Sequence, residues 1–218
     1  MSASEAEERA QFTLAMRAKG VESIDLLRAL ERVPRALFMP QRFADISGRD
    51  IALPIGCGQT SQPPSVVAAM IAALDVQASD SVCEIGTGTG YCAALLAQFA
   101  REVVSLERFQ TLAVEAAARV RAFGLAHVEI VWADGFEQRA AGRLFDKVIA
   151  HGIVEPPARE FLDLLAPGGA MVAALPGRGP AEHRIVRLTV AGDGPVPIED
   201  FGRGRGLRPL ERGLSRAL

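Results

Sequence analysis

The spacing of apolar positions changes partway along the chain, and the change separates two kinds of structure. The segment from Glu5 to Lys19 ends at Gly20 with cationic residues in its last turn, and Ser4 followed by Glu7 has capping-box spacing, so a helix is predicted there. In "SIDLLRALERVP", Ile24, Leu27, Leu30 and Val33 recur at helical spacing until Pro34 ends the run. Beyond a loop rich in Gly, Pro and hydroxyl residues, Val66, Met70 and Leu74 mark a third helical face beginning near Ser65. The period then shortens. The runs "SVCEIG", "EVVSLE", "VEIVW", "DKVIA" and "AMVAAL" are β-like, and most gaps between them hold a helical stretch such as "TLAVEAAARVRAFG". This alternation predicts an α/β fold, a mostly parallel sheet with helices on both faces. From Arg184, "RIVRLTV" and later "RGLRPL" alternate, which predicts antiparallel strands added at one edge; "GDGPVPIEDFGRGRG" between them is turn-rich. There is no internal repeat and no low-complexity segment.

Composition narrows the class. The 218 residues, 49% hydrophobic and 23% charged, suit one globular domain with a substantial core. We divide that domain into N-terminal helices and a loop over 1–75, an α/β core over 76–177 and edge strands over 178–218. No apolar run approaches the roughly 20 residues of a membrane helix. The N-terminal "MSASEAEERAQ" is acidic where a secretory signal would be basic and then apolar, so the expected compartment is the cytoplasm. Cys57, Cys83 and Cys92 are odd in number and lack CxxC spacing, so neither a disulfide framework nor a zinc site is expected. A net charge of -2 and a pI near 6.0 give no global pull toward nucleic acid. The closing stretch carries Arg203, Arg205, Arg208, Arg212 and Arg216 against Glu211, a charge pattern compatible with RNA; with Phe201 its only aromatic, it reads rather as a solvated edge, or as an attraction for an anionic peptide.

The candidate chemistry gathers at the ends of the predicted strands. "CEIGTGTGY" follows the first strand of the alternating unit and opens a helix, the context in which a glycine loop approaches a nucleotide-like ligand. Gly86, Gly88 and Gly90 follow GxGxG, with Tyr91 where a dinucleotide fingerprint would place its last glycine, which argues against NAD. A plain strand-to-helix turn is the alternative. Glu107 ends the next strand about 20 residues on, either as an acid suited to accept hydrogen bonds from two ribose hydroxyls or as a solvated strand end. Asp134, in "WADG" after the third strand, stands on the same edge as either an acceptor for an adenine amino group or a turn residue. His151 ends the fourth strand there, as a substrate contact or a merely polar strand end. "EPP" at Glu155 to Pro157 reads as a loop leading into a helix.

These residues resemble a family. "EIGTGTGY" with a downstream acid and "ADG" is similar to the cofactor site of class I S-adenosylmethionine-dependent methyltransferases. "RVPRALFMP", "LPIGCGQTSQP", "EIGTGTGY", "VVSLER", "FDKVIAHG", "LAPGG" and "LRPL" come in the order seen in protein-L-isoaspartate O-methyltransferases and span nearly the whole chain. The resemblance implies a seven-stranded Rossmann-like sheet with extra elements at both ends, and the cofactor S-adenosyl-L-methionine. The donor would lie across Gly86 to Gly90, with Glu84, Thr87 and Gly135 completing its site, Glu107 on its ribose and Asp134 near its adenine. "LPG" at Leu175 to Gly177 would lie beside the substrate. In the family the loop before the third helix carries Gln-Thr-Ile-Ser before a Pro, and its Ser sits beside both the donor methyl and the substrate carboxylate. This chain reads Gln59, Thr60, Ser61, Gln62, Pro63, Pro64, with no Ile between Thr and Ser. Counted without gaps, Gln62 takes the serine position. With a one-residue deletion offset by Pro64, Ser61 keeps it, flanked by Thr60 and Gln62, and the surviving "SQP" favours this register.

The implied reaction transfers methyl to the free α-carboxylate of L-isoaspartyl residues in damaged proteins, and the ester then favours succinimide formation and repair. A carboxylate with a pKa near 4 is already ionised at neutral pH, so placement matters more than a general base. The absence of a Ser/His/Asp pattern is therefore no objection. Two other readings keep the donor site: a different carboxylate or small-molecule acceptor, or a donor-binding module without catalysis.

Overall fold

The computed structural model describes residues 3–137, 142–154, 159–179, 182–190, 198–205 and 207–216. Helix α1 (Ala3–Ala18) begins one residue before Ser4, so Ser4 does not cap it. The working cap belongs to α2 (Ile24–Arg32), where the Ser23 hydroxyl accepts the Leu26 N–H at 3.3 Å. Its buried stripe runs through Leu26, Leu27, Leu30 and Val33, while Ile24, the first helical residue, lies off that stripe and is 65% exposed. Two 3-10 turns, Arg35–Phe38 and Gln41–Ile46, carry the chain to a short antiparallel pair, β1 (Leu53–Pro54) with β2 (Thr60–Ser61). Helix α3 (Pro64–Leu74) follows, with Pro64 at its first position, where no N–H is needed; Met70 and Leu74 are fully buried and Val66 half-buried.

The alternating half forms β3 (Ser81–Ile85), α4 (Tyr91–Leu96), β4 (Glu102–Glu107), α5 (Gln110–Ala122), β5 (Val128–Trp132), β6 (Phe145–Ile153), α6 (Arg159–Leu162) and β7 (Leu165–Pro176). Together with β8 (Glu182–Thr189) and β9 (Ile198–Arg205) they make a seven-stranded sheet in the order β5-β4-β3-β6-β7-β8-β9. β3 to β7 run parallel; β8 and β9 are antiparallel additions at one edge, as the pattern predicts. β3 is central and buried along its length, and its pleat sends Val82 into the layer under α3 and α4 while Cys83 and Ile85 feed the opposite layer with Phe161 and Met171. The chain leaves β3 toward β4 on one side and returns as β6 on the other. That reversal opens a crevice at the carboxyl ends of β3, β4 and β6, where α/β sheets bind ligands.

The edge differs from expectation in one respect. "RGLRPL" is not the last antiparallel strand: β9 is drawn largely from the turn-rich stretch before it. The chain then crosses back over the strand ends, where the Ile153 N–H donates to the Arg208 carbonyl at 2.8 Å and the Leu210 N–H to the Ile153 carbonyl at 3.0 Å. Gly152 permits this crossing, since a Cβ there would stand 2.5 Å from Leu210 Cγ. Among the described residues no helix is long and apolar enough to cross a membrane.

His183 in β8 is fully buried, and neither ring nitrogen has a hydrogen-bond partner among the described residues. Burial pushes its pKa down, so folding disfavours its protonated form. The unfolded chain then binds the extra proton first, and the associated stability is present above the ordinary histidine value of 6.5 and lost as pH falls through it. His183→Leu is expected to remove up to ~1.4 kcal/mol per pH unit of acid-side slope. Urea unfolding at several pH values between about 5.5 and 7.5 checks this against the histidine range; identical slopes in both proteins would show that His183 protonates freely.

Candidate functional site

Three glycines shape the turn between β3 and α4. Gly86, Gly88 and Gly90 have φ of +91°, +57° and +85°, conformations that residues with a Cβ adopt only under strain. The Gly86 and Thr87 N–H groups donate to the Leu106 carbonyl, which holds the turn against the end of β4. A Cβ at Gly90 would press on Val120 of α5 at 3.3 Å, and one at Gly86 on His151 at 3.4 Å. At Gly88 it would meet Ile55 Cδ1 at 3.3 Å, across the crevice itself. Gly135 has a packing reason of its own, because a Cβ there would stand 2.7 Å from Ile85 Cγ2.

Glu107 closes β4 at the same edge and is 4% exposed. Its two oxygens accept backbone N–H groups, Oε2 from Gly88 and Oε1 from Phe109, each at 2.9 Å. Each oxygen keeps a further lone pair, so the carboxylate is aimed by its own turn and still able to accept two hydroxyls. Burial raises its pKa above the ordinary glutamate value, and the two N–H donors offset part of that rise. Asp134 is also 4% exposed, and its oxygens hold the Phe136 and Gly213 N–H groups. It thereby ties the C-terminal tail to the crevice.

The loop before α3 is an ordered hairpin rather than an irregular connection. The Ile55 N–H donates to the Gln59 carbonyl and the Gln59 N–H to the Gly56 carbonyl, with Cys57 and Gly58 in the left-handed region between them. Behind it lies Arg35, 3% exposed. Its guanidinium donates to the carbonyls of Ser47, Arg49, Ile51 and Gln62 and to Ser61 Oγ, the last at 3.3 Å and Gln62 O at 2.9 Å. One buried cation thus gathers five points of the loop, and burial lowers its pKa from an intrinsic value so high that it stays charged.

A polar chain runs under the floor. Glu84 has no exposed surface; its carboxylate accepts the Ser105 hydroxyl at 2.5 Å and faces His151 Nε2 at 2.9 Å, and Ser105 is in turn 2.5 Å from Thr87 Oγ1. Glu84 and Thr87 therefore support the floor from beneath. Cys92 joins this group, with ligand atoms of Glu84, Cys92 and His151 within 4.8 Å of one another, and burial, reinforced by the neighbouring Glu84, pushes its thiol pKa well up.

The hairpin, the glycine turn, Glu107 and Asp134 meet in one crevice of about 1120 Å³, its open mouth included, which Arg35, Gly90 and Ser105 do not line. Thr60, Ser61 and Gln62 wall it on one side, Gly86, Gly88 and Glu107 on another, with Asp134 and Gly135 beyond them. His151 lines it too, with its Nε2 turned to Glu84, so both readings of that residue remain compatible with its place. The sequence reading missed Arg35 and Ser105, and the tail residues Arg208 to Glu211 as walls. The motif "RVPRALFMP" marked Arg35 without a role, and nothing in local spacing ties position 105 to position 84. Leu175 to Gly177 do not border the crevice; they enter the β7–β8 turn, where the Gly177 N–H meets the Glu182 carbonyl. Glu155 to Pro157 lie outside the described residues, as do the side chains of Arg203 and Arg205. Arg208, Arg212 and Arg216 are exposed, and two of them pair or stack at the surface: Arg212 pairs with Glu160 at 2.6 Å and stacks 4.2 Å from the Phe136 ring, and Arg216 lies 5.7 Å from the Trp132 ring.

Comparison with known proteins agrees with this architecture. Residues 7–200 match the family model described as Protein-L-isoaspartate(D-aspartate) O-methyltransferase. A protein-L-isoaspartate O-methyltransferase of Rhodopseudomonas palustris is 41% identical over 183 residues, 84% of this chain and 83% of the relative. One from Azorhizobium caulinodans is 37% identical over 220 residues and covers both chains completely. Among solved structures, a Plasmodium falciparum chain described as a protein-L-isoaspartate O-methyltransferase in complex with S-adenosyl-L-homocysteine superposes with a TM-score of 0.79. At 15% identity, covering 92% of this chain and 97% of that one, it shares the fold.

Proposed function

The chain belongs to the protein-L-isoaspartate(D-aspartate) O-methyltransferase family, and from that membership we propose that it transfers methyl from S-adenosyl-L-methionine to the free α-carboxylate of L-isoaspartyl residues in damaged proteins, with Ser61 orienting the acceptor. We read it as one methyltransferase domain working in the cytoplasm on isoaspartyl proteins and peptides. The observation that carries this reading is the meeting of the Thr60–Gln62 loop and the Gly86–Gly90 turn across one crevice. The crevice fits the donor: Gly88 leaves open the space a Cβ would fill beside Ile55, and Glu107 offers two lone pairs to a ribose diol. Gly86, Gly88 and Glu107 would hold it, with Asp134 and Gly135 toward its base and Glu84 and Thr87 supporting from below. Bound there, the sulfonium supplies an already activated methyl group.

The chain's own residues then have to hold and dry an anion. Arg35 occupies the Ser61 oxygen as an acceptor, which leaves the hydroxyl proton available to donate to a carboxylate. Holding that carboxylate in line needs no base, and positioning of this kind supplies effective molarity. The test is transfer of labelled methyl to an isoaspartyl peptide against its aspartyl twin. Transfer to the isoaspartyl peptide alone is expected; transfer to neither moves the acceptor elsewhere.

Glu107 gives the donor site a pH dependence. Only its ionised form accepts two hydroxyls, and its pKa lies above the ordinary glutamate value. Affinity for S-adenosyl-L-homocysteine is therefore present above that raised pKa and falls as pH drops through it, sooner than an exposed glutamate would require. Glu107→Gln should bind about 1.5–3 kcal/mol more weakly at neutral pH and lose the acid-side fall. Calorimetry across pH checks both; a variant that keeps the wild-type profile removes Glu107 from the donor.

A further inference from the structure

The walls of the crevice are rich in acids, and the proposed acceptor is an anion. Glu107, Asp134 and Glu211 border it, and Glu84 lies just beneath its floor. The basic side chains that border it are mostly committed. Arg108 is paired with Glu211 at 2.7 Å and donates further to the carbonyls of Gly213 at 2.9 Å and Arg212 at 3.2 Å. His151 is turned to Glu84. Arg208 differs: its side chain is exposed in the crevice wall, and its one side-chain hydrogen bond among the described residues runs from Nη1 to the Gly58 carbonyl at 3.2 Å. Four of its five N–H donors remain unused, and no carboxylate partners it among the described residues.

The place of Arg208 is fixed from two directions. Its carbonyl is held by Ile153 at the end of β6, and the next turn of tail is seated on Gly152. Its guanidinium is tethered to Gly58 in the same hairpin that carries Thr60 and Ser61. A planar guanidinium so held matches a carboxylate with two parallel N–H donors, a geometry that neither a serine nor a lysine supplies. We propose that Arg208 holds the acceptor carboxylate of the isoaspartyl peptide, sharing it with Ser61, and so selects a free α-carboxylate over its amide. The inference rests on the proposed function. The donor's own carboxylate has the same chemistry, but Arg208 is tied to the hairpin rather than to the Gly86–Gly90 turn, which favours the peptide.

The experiment compares wild type, Arg208→Ala and Arg208→Lys. Methyl transfer gives KM and kcat for an isoaspartyl peptide, and calorimetry gives the affinity for S-adenosyl-L-homocysteine alone. A third arm measures how the S-adenosyl-L-homocysteine-loaded protein binds the isoaspartyl peptide and the same peptide with its α-carboxylate replaced by a carboxamide. Arg208→Ala should raise KM roughly ten- to hundredfold, as expected for a lost charged hydrogen bond, with kcat changed less than about threefold. Arg208→Lys should recover part of that loss. Donor-product affinity should stay unchanged, and the preference for carboxylate over carboxamide should disappear. An unchanged KM overturns the inference. A loss of S-adenosyl-L-homocysteine affinity assigns Arg208 to the donor and overturns it too, and an equal loss for both peptides shows a merely structural tether. Wild type that transfers no methyl to isoaspartyl peptides overturns the parent reading; wild type that transfers while Arg208→Ala matches it overturns this inference alone.

Discussion

Gly88→Val is expected to abolish measurable S-adenosyl-L-homocysteine binding, a loss of at least a hundredfold or about 2.7 kcal/mol, while the protein still folds. Three effects act together. At φ +57° a β-branched residue is strained by roughly 1–2 kcal/mol, so the turn is pushed toward another conformation. Its Cβ would already stand 3.3 Å from Ile55 Cδ1, and the two methyls beyond it fill the space that the ligand needs. Any relaxation of the turn also withdraws the Gly88 N–H from Glu107 Oε2, which loosens the carboxylate proposed to hold the ribose. The fold survives because Gly88 is not the close-packed glycine of the turn; Gly90 is, against Val120 and Ala116. The unfolding midpoint should fall by only a few degrees, at about 2–4 °C per kcal/mol for a chain of this size. Calorimetry and a thermal melt on the same preparation separate the two effects. Wild-type affinity in Gly88→Val would take the turn out of the donor site.

Much of the fold was legible because apolar periodicity reports burial directly. β3 is flanked on both sides and covered on both faces, so it reads as a continuous apolar run, and "SVCEIG" stands out for that reason. The edge was harder. β9 pairs on one side with β8 alone and carries Gly202 and Gly204, so its composition is that of a turn, and what selects it is the register from Leu188↔Ile198 to Glu182↔Arg205. A partner strand supplies that information. The misplaced cap at Ser4 has a similar origin: capping-box spacing is a local signal, whereas Ser23 caps α2 at a point fixed by where Leu26, Leu27 and Leu30 must be buried.

The candidate site divides along the same line. Gly86, Gly88, Gly90 and Glu107 were visible because each sits where a strand ends, and strand ends can be read from local sequence. Arg35 was not, because its chemistry lies in the six hydrogen bonds it sends to residues 12 to 27 positions downstream. Nor was Arg208, which reaches Gly58 across 150 positions of chain. Asp134 lies at the crevice edge where its sequence position put it, and it also holds the tail through Gly213, a contact 79 positions away that local sequence does not announce.

Arg35 also bears on whether Ser61 or Gln62 carries the acceptor, and the two readings predict different sensitive residues. At Ser61 the guanidinium meets the side-chain oxygen; at Gln62 it meets the backbone carbonyl and leaves the amide side chain without a fixed partner among the described residues. A hydroxyl whose oxygen already accepts from a buried cation has a defined direction in which to donate. An amide on rotatable bonds pays side-chain entropy for each contact it makes. Ser61→Ala should therefore lower methyl transfer to an isoaspartyl peptide by roughly ten- to hundredfold, about 1.4–2.8 kcal/mol, the value of one polar contact to a charged group. S-adenosyl-L-homocysteine affinity should barely change, because Ser61 stands on the hairpin wall and not on the glycine turn. Gln62→Ala should cost less than about threefold, since it keeps the carbonyl that Arg35 holds and loses only an unanchored amide. Steady-state transfer with each single variant, at saturating donor, decides between them. A large loss at Gln62 with none at Ser61 would reverse the alignment of the loop and place the amide on the carboxylate.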